Sequence, residues 1–172
     1  DLSVIDTSPE GRQKIQTEYI DNNKDLIRDI IITEVSREGQ VFYIFNSVKR
    51  IEMKSKELRE LLPEYIKVDY IHGQMLARDI KRAIHNFENG NTDVLIATTI
   101  IENGIDIENA NTMIIEGVEK LGLSQVYQLR GRIGRSNKKS YCYMLMNENK
   151  TKNAQKREES IREFDNLSGI DL

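Results

Sequence analysis

The chain has 172 residues, 38% of them hydrophobic and 31% charged, which suits a single domain with a proper core. Its 25 lysines and arginines against 28 acids give a formal net charge of −3, which argues against a generic basic coat for nucleic acid but leaves room for a local phosphate-binding stripe. No apolar run approaches the roughly 20 residues of a membrane span, and no secretory signal pattern is present.

Taken in order, Thr7-Ser8-Pro9-Glu10-Gly11 reads as a turn or linker, and Ile15 to Ile20 as an extended strand. Leu26, Ile27, Ile30, Ile31 and Val35 recur at helical spacing, with Gly39 as a stop signal. Val41 to Phe45 is a compact apolar strand. Val48, Ile51, Leu58, Leu61 and Leu62 mark a second helix, ended by Pro63. Val68 to Ile71 is a strand. Leu76, Ile80, Ala83, Ile84 and Phe87 mark a third helix, with Gly90 past its end. Val94 to Ala97 and Thr112 to Ile115 are further strands. Ser124 is a plausible N-cap for another helix, and Tyr141 to Met146 is the strand that closes the sheet. The one cysteine, Cys142, lies in that strand and reads as a small core hydrophobe, which suits a reducing cytoplasm. From Ala154 to Leu167 the pattern is charged and helical, with Ile161, Phe164 and Leu167 as a sparse apolar face. Both ends read as cut from a longer chain.

Strands that alternate with helices suit right-handed crossovers, and continuous apolar strands suit a parallel sheet covered on both faces. The expectation is a three-layer α/β domain with a mostly parallel sheet. Ligands of such sheets sit beyond the carboxyl ends of the strands. That directs attention to Asn46-Ser47, His72-Gly73-Gln74, Thr98-Thr99 and the segment around Gly104.

The segment Gln128 to Arg135 places three arginines and two glycines in eight residues. Glycine permits close backbone approach, and the arginine fork matches phosphate oxygens. Arg132 and Arg135 are three apart and share a face on a helical turn. Taken alone, the segment leaves a phosphate clamp and a solvated basic turn both open. Upstream, Thr98 and Thr99 follow a strand, where hydroxyls bind backbone phosphates or cap a helix. Gly104 permits close approach. Asp106 is an acceptor for a ribose hydroxyl or an arginine, or a turn residue bonded to its own backbone. His72 as a lone histidine is more often structural than catalytic, and His85 reads as a surface residue. Two histidines without clustered carboxylates give no metal site. No Gly-x-x-x-x-Gly-Lys-Ser/Thr phosphate loop occurs. Arginines for a nucleotide without a cradle for it describe half of a two-lobe ATPase.

These strings resemble the second RecA-like lobe of superfamily 2 helicases and translocases. Gln128 to Arg135 matches their motif VI, Gln-x-x-Gly-Arg-x-Gly-Arg, and Thr98 to Ile107 matches motif V. Gln40 to Ser47 is similar to motif IV, and His72-Gly73 to the loop that follows in that lobe. Within the superfamily, Thr98 to Ile107 and Gly122 to Arg132 are most similar to the transcription-repair coupling factor family, with RecG-type fork-reversal helicases as the alternative. The short link from Phe45-Asn46 to Val48 and the form His72-Gly73-Gln74-Met75 lean towards the former.

The resemblance implies a helicase C-terminal lobe with a P-loop NTPase-type fold. Residues 1–22 would be a linker and lead-in strand from a first lobe, 23–150 the lobe itself, and 151–172 the start of a helical coupling element. Arg132, Arg135 and Gln128 would be catalytic. Gly104 and Asp106, with Arg132 and Arg135, would face ATP. Asn46, Ser47, His72, Gly73, Thr98 and Thr99 would hold DNA phosphates. ATP and Mg2+ would be bound mainly by the first lobe, so the isolated piece would not hydrolyse ATP. Implied partners are double-stranded DNA, the first lobe of the same parent chain and, through other parent domains, RNA polymerase and excision-repair proteins. No membrane is implied. The competing reading is a non-catalytic α/β module that uses Arg130, Arg132 and Arg135 for an anionic partner.

Overall fold

The computed structural model describes residues 15–98, 109–117 and 138–146. Among these the order is β1 (Ile15–Asp21), α1 (Lys24–Ser36), β2 (Gln40–Phe45), α2 (Ile51–Leu61), β3 (Val68–Ile71), α3 (Ala77–Glu88), β4 (Val94–Ala97), β5 (Ala110–Glu116) and β6 (Ser140–Met146). The strands form one six-stranded sheet in the order β1-β6-β5-β2-β4-β3. Every neighbouring pair is parallel. All carboxyl ends therefore lie along one edge.

The central strands are apolar because both of their faces are covered. All six residues of β2 and all four of β4 are buried. One core layer joins Ile27 and Ile31 of α1 and Ile51 and Leu58 of α2 to Val41, Tyr43, Ile96 and Ile114. The other joins Ala83 and Phe87 of α3 to Phe42, Ile44, Leu95 and Met113. The alternation of side chains along β2 thus divides the helices: α1 and α2 on one face, α3 on the other. Three layers result, as the sequence pattern implies. Cys142 is fully buried in the second layer.

Several local readings are corrected. α1 starts where Asn23 Oδ1 accepts the Leu26 N–H at 3.1 Å, an ordinary N-cap. Its buried stripe is Ile27, Ile31 and Glu34, whereas Leu26 is 37% exposed and Val35 only half-buried. The left-handed residue that ends α1 is Glu38, at φ 66°, and not Gly39. Val48 lies in a turn ahead of α2, and Leu76 is the exposed N-cap of α3. Gly90, at φ 82°, does end α3 as read. The final strand does not form the border of the sheet. β6 lies between β1 and β5, and β1 is the edge.

Glu34 is the unexpected core residue, at 1% exposure. Arg37 binds its carboxylate bidentately, Nε to Oε2 and Nη2 to Oε1, each at 2.8 Å. Thr112 Oγ1 of β5 donates to the same carboxylate. Arg37 also donates to the Lys139 carbonyl, and Lys138 Nζ donates to the Arg37 carbonyl at 2.8 Å. The end of α1 is thereby fastened to the starts of β5 and β6. Gly39 belongs to this unit for a steric reason: a Cβ there would run into the Glu34 carboxylate. Because Arg37 and Thr112 hold that carboxylate in place, Gly39→Ala is expected to lower stability by about 1–3 kcal/mol. Urea unfolding of the chain checks this, and an unchanged midpoint would mean that the carboxylate moves aside freely.

Candidate nucleic-acid interface

The loops after β2, β3 and β4 leave the same edge side by side, since β4 pairs with both other strands. Ile44, Ala97 and Ile71 are in register. One step further, Phe45, Thr98 and His72 begin the edge, so the β2 and β3 ends lie about 10 Å apart at the usual strand spacing. The sequence thus assembles five of its proposed phosphate contacts, Asn46, Ser47, His72, Gly73 and Thr98, along one short rim.

Each has a distinct setting. Asn46 is exposed. The Ser47 N–H bonds back to the Phe45 carbonyl at 2.8 Å. Ser47 Oγ accepts the Arg50 N–H at 3.2 Å, which fixes the turn into α2 while its own proton stays available to an acceptor. His72 Nδ1 accepts the Gln74 N–H at 3.1 Å. In a neutral ring this leaves the proton on Nε2. The ring stacks on Tyr70, with centroids 6.2 Å apart and planes at 16°. Gly73 is exposed beside it. Thr98 is 2% exposed, and its hydroxyl has no hydrogen-bond partner among the described residues. The hydroxyls of Thr17, Ser55 and Ser140 are likewise without a partner among the described residues.

Gln40, which opens the motif IV-like string, has no place on this rim. It sits at the opposite end of β2, 5% exposed, and donates to the carbonyls of Phe87 and Thr92 at 2.6 and 2.7 Å. It ties the end of α3 to the sheet. His85 is exposed on α3 and contacts Asn89 Nδ2 at 2.9 Å.

Sequence reasoning missed a charged unit directly beneath the rim. Tyr43 donates to Glu116 Oε1 at 2.5 Å, and Lys54 Nζ lies 2.9 Å from the same oxygen. Lys54 also reaches Glu57 at 3.5 Å and packs over the Phe45 ring at 5.2 Å. Burial, reinforced by Glu116, pushes the Tyr43 hydroxyl well above its ordinary pKa, so it stays a proton donor. The signal for this unit was a carboxylate directly after the apolar run Met113-Ile114-Ile115, opposite Phe45 in register. Gly117, directly after this strand, is left-handed at φ 78°.

Thr99, Gly104, Asp106, Gln128, Arg132 and Arg135, with the Ser124 cap, lie outside the described residues.

An all-parallel three-layer sheet with its candidate loops on the carboxyl edge defines a RecA-like lobe, and the sequence profile of the helicase conserved C-terminal domain matches residues 21–137. The chain therefore belongs to that helicase C-terminal family. It is 46% identical over 97% of its length to the transcription-repair-coupling factors of Staphylococcus haemolyticus and Staphylococcus aureus, and spans 14% of their length. In structure it resembles RecG bound to a three-way DNA junction, with a TM-score of 0.76, 31% identity, and coverage of 91% of this chain and 21% of that one. It also shares its fold with S. cerevisiae Dbp5 bound to RNA and ADP BeF3, with a TM-score of 0.64, 20% identity, and coverage of 87% and 39%. These likenesses support a helicase-like translocase lobe within a superfamily 2 parent.

Proposed function

We propose that the chain is the C-terminal motor lobe of an ATP-dependent double-stranded DNA translocase that displaces stalled RNA polymerase and couples transcription to nucleotide excision repair. The observation that carries this reading is 46% identity to transcription-repair-coupling factors across 97% of the chain.

In this reading ATP, with Mg2+, supplies the free energy of stepping and is held mainly by the first lobe. The chain has no phosphate loop, and no group of three His, Cys, Asp or Glu side chains suited to a metal occurs among the described residues. Arg132 and Arg135 reach the γ-phosphate across the cleft, where such an arginine stabilises transition-state charge. Gln128 orients the nucleotide or the attacking water. Gly104 and Asp106 complete the nucleotide side. Asn46, Ser47, His72, Gly73, Thr98 and Thr99 hold phosphates of one DNA strand. Closing and opening of the two lobes then moves the parent along the duplex, in the bacterial cytoplasm. RNA polymerase and the excision-repair proteins engage other domains of the parent. Residues 23–150 act as the lobe, 1–22 lead in from its partner lobe, and 151–172 begin the element that couples motor to DNA.

The likeness to RecG favours a second reading, a branch-migration helicase. The full-length parent, given ATP, separates the two. It is expected to release a stalled polymerase from linear DNA while leaving a four-way junction intact. Junction unwinding with the polymerase left in place would move the assignment to the RecG type.

A further inference from the structure

We propose that Glu116, held between Tyr43 and Lys54, is a positioning residue that couples the two halves of the proposed motor. It ties the β2–α2 turn, with Asn46 and Ser47, to the stretch of chain that leads to Gln128 and Arg132, so that duplex on the rim sets the rate of ATP turnover. The proposal rests on the motor-lobe reading and deepens it.

Glu116 is the last residue of β5 and lies opposite Phe45, the last residue of β2. Asn46 and Ser47 follow Phe45 directly, and Gln128 and Arg132 follow Glu116 by 12 and 16 positions. The two segments therefore start from neighbouring strand ends, and one carboxylate oxygen bridges those ends. Glu116 Oε1 accepts from the Tyr43 hydroxyl of β2 at 2.5 Å and lies 2.9 Å from Lys54 Nζ of α2. From Lys54 the contacts run back to the rim without a gap. Its N–H donates to the Arg50 carbonyl at 2.9 Å, and the Arg50 N–H donates to Ser47 Oγ at 3.2 Å. Energetic coupling between sites is carried by contiguous hydrogen-bond and ion-pair networks of this kind.

The Lys54 and Glu116 side chains are only 14% and 15% exposed. A pair so enclosed gives up about as much hydration as its attraction returns, so its main effect is on geometry. The Phe45 and Tyr43 rings confine the ammonium further, at 5.2 and 5.9 Å. Lys54 has one other carboxylate in reach, Glu57 on its own helix at 3.5 Å. The ammonium thus has two positions open to it, one against the end of β5 and one along α2. A shift of the turn under a bound phosphate changes the balance between them, and with it the hold on Glu116. The Glu34–Arg37 unit fastens α1 in a similar way, but at the amino ends of the strands, where none of the proposed DNA residues lies.

The test uses the full-length parent and measures ATP turnover with and without saturating linear duplex, beside a duplex-binding titration. Glu116→Gln keeps an acceptor for Tyr43 and loses the charge that holds Lys54. It is expected to reduce the stimulation of turnover by duplex about 3- to 10-fold. The duplex-free rate, the ATP concentration for half-maximal turnover and the duplex affinity should stay near their unaltered values. Lys54→Met should do the same, and Lys54→Met/Glu116→Gln no more than either alone, because the two residues act as one link. Lys54→Arg should keep most of the stimulation. Full stimulation in Glu116→Gln, with only a lower urea midpoint, would make the unit a support of the fold and overturn the proposal. An equal loss of stimulation in Gly39→Ala, a destabilising change at the opposite strand ends, would do the same. If the unaltered parent turns over ATP equally with and without duplex, the coupling falls while polymerase release still decides the motor reading. If it neither binds duplex nor hydrolyses ATP, the motor reading itself falls.

Discussion

In the full-length parent, Arg132→Ala is expected to slow ATP turnover about 10³-fold or more while leaving DNA affinity within a few-fold, the range that arginine-finger losses occupy. The reasoning starts from the division of the site. In the proposed reading, ground-state binding of the nucleotide falls to the other lobe, and an arginine from this side would have its main effect as charge develops in transfer. Its loss should therefore lower the turnover number more than it weakens nucleotide binding. Asn46, His72 and Thr98, the residues proposed to hold DNA, follow strands β2, β3 and β4, and Arg132 is proposed to act on the nucleotide instead. The measurement is steady-state ATP hydrolysis with and without saturating duplex, beside a binding titration. Turnover near the unaltered rate would remove the finger assignment, and a parallel collapse of DNA binding would mean that the residue serves the fold.

The second large effect is structural. Arg37→Ala removes both bonds to a carboxylate that is 1% exposed and leaves its charge in the core. Breaking a buried pair from one side costs about 3–5 kcal/mol, because the remaining charge has no compensation. With a urea slope of about 2 kcal/mol/M, the midpoint should fall by about 1.5–2.5 M. The hydrogen bond to Glu34 is also the main reason that the Arg37 guanidinium is held above its ordinary pKa. Adding Glu34→Gln to Arg37→Ala should recover part of the loss, since a neutral amide at that position no longer strands a charge. A fall of less than about 1 kcal/mol in the single variant would show that water reaches Glu34 and that the pair is not truly enclosed.

These two cases show what the sequence reveals and where it stops. The strands were legible because an uninterrupted apolar run such as Val41 to Phe45 has few homes other than a sheet covered twice. Alternation of those runs with helical spacing then implied parallel order and a single functional edge. That rule directs attention to Asn46, His72 and Thr98 at the carboxyl edge, while their proposed role in holding phosphates comes from the family resemblance. Glu34 was not legible, because a glutamate on an amphipathic helix is ordinarily solvated. Only the arrival of Arg37 and of Thr112, 78 positions away, makes its burial tolerable. The same holds for Glu116, whose partners Tyr43 and Lys54 lie on other elements. Buried charge depends on tertiary neighbours, and periodicity carries no trace of them. The glycine at position 39 illustrates the reverse error. It was read as a helix stop from its backbone freedom, whereas its importance lies in having no side chain beside a carboxylate.

The place of β1 has a practical consequence for anyone who trims or grafts this lobe. The helicase profile begins at residue 21, the last residue of β1, yet all seven residues of that strand are zipped to β6 from Ser140 to Met146. A cut at the profile boundary would strip the border from the sheet and leave Tyr141, Cys142, Tyr143, Met144 and Leu145 as a bare apolar template for other chains. The native border carries Gln16, Glu18 and Asp21, polar and charged groups that discourage such pairing. The family profile thus starts after most of the border strand, and the stretch before that boundary acts as the guard rail of the sheet.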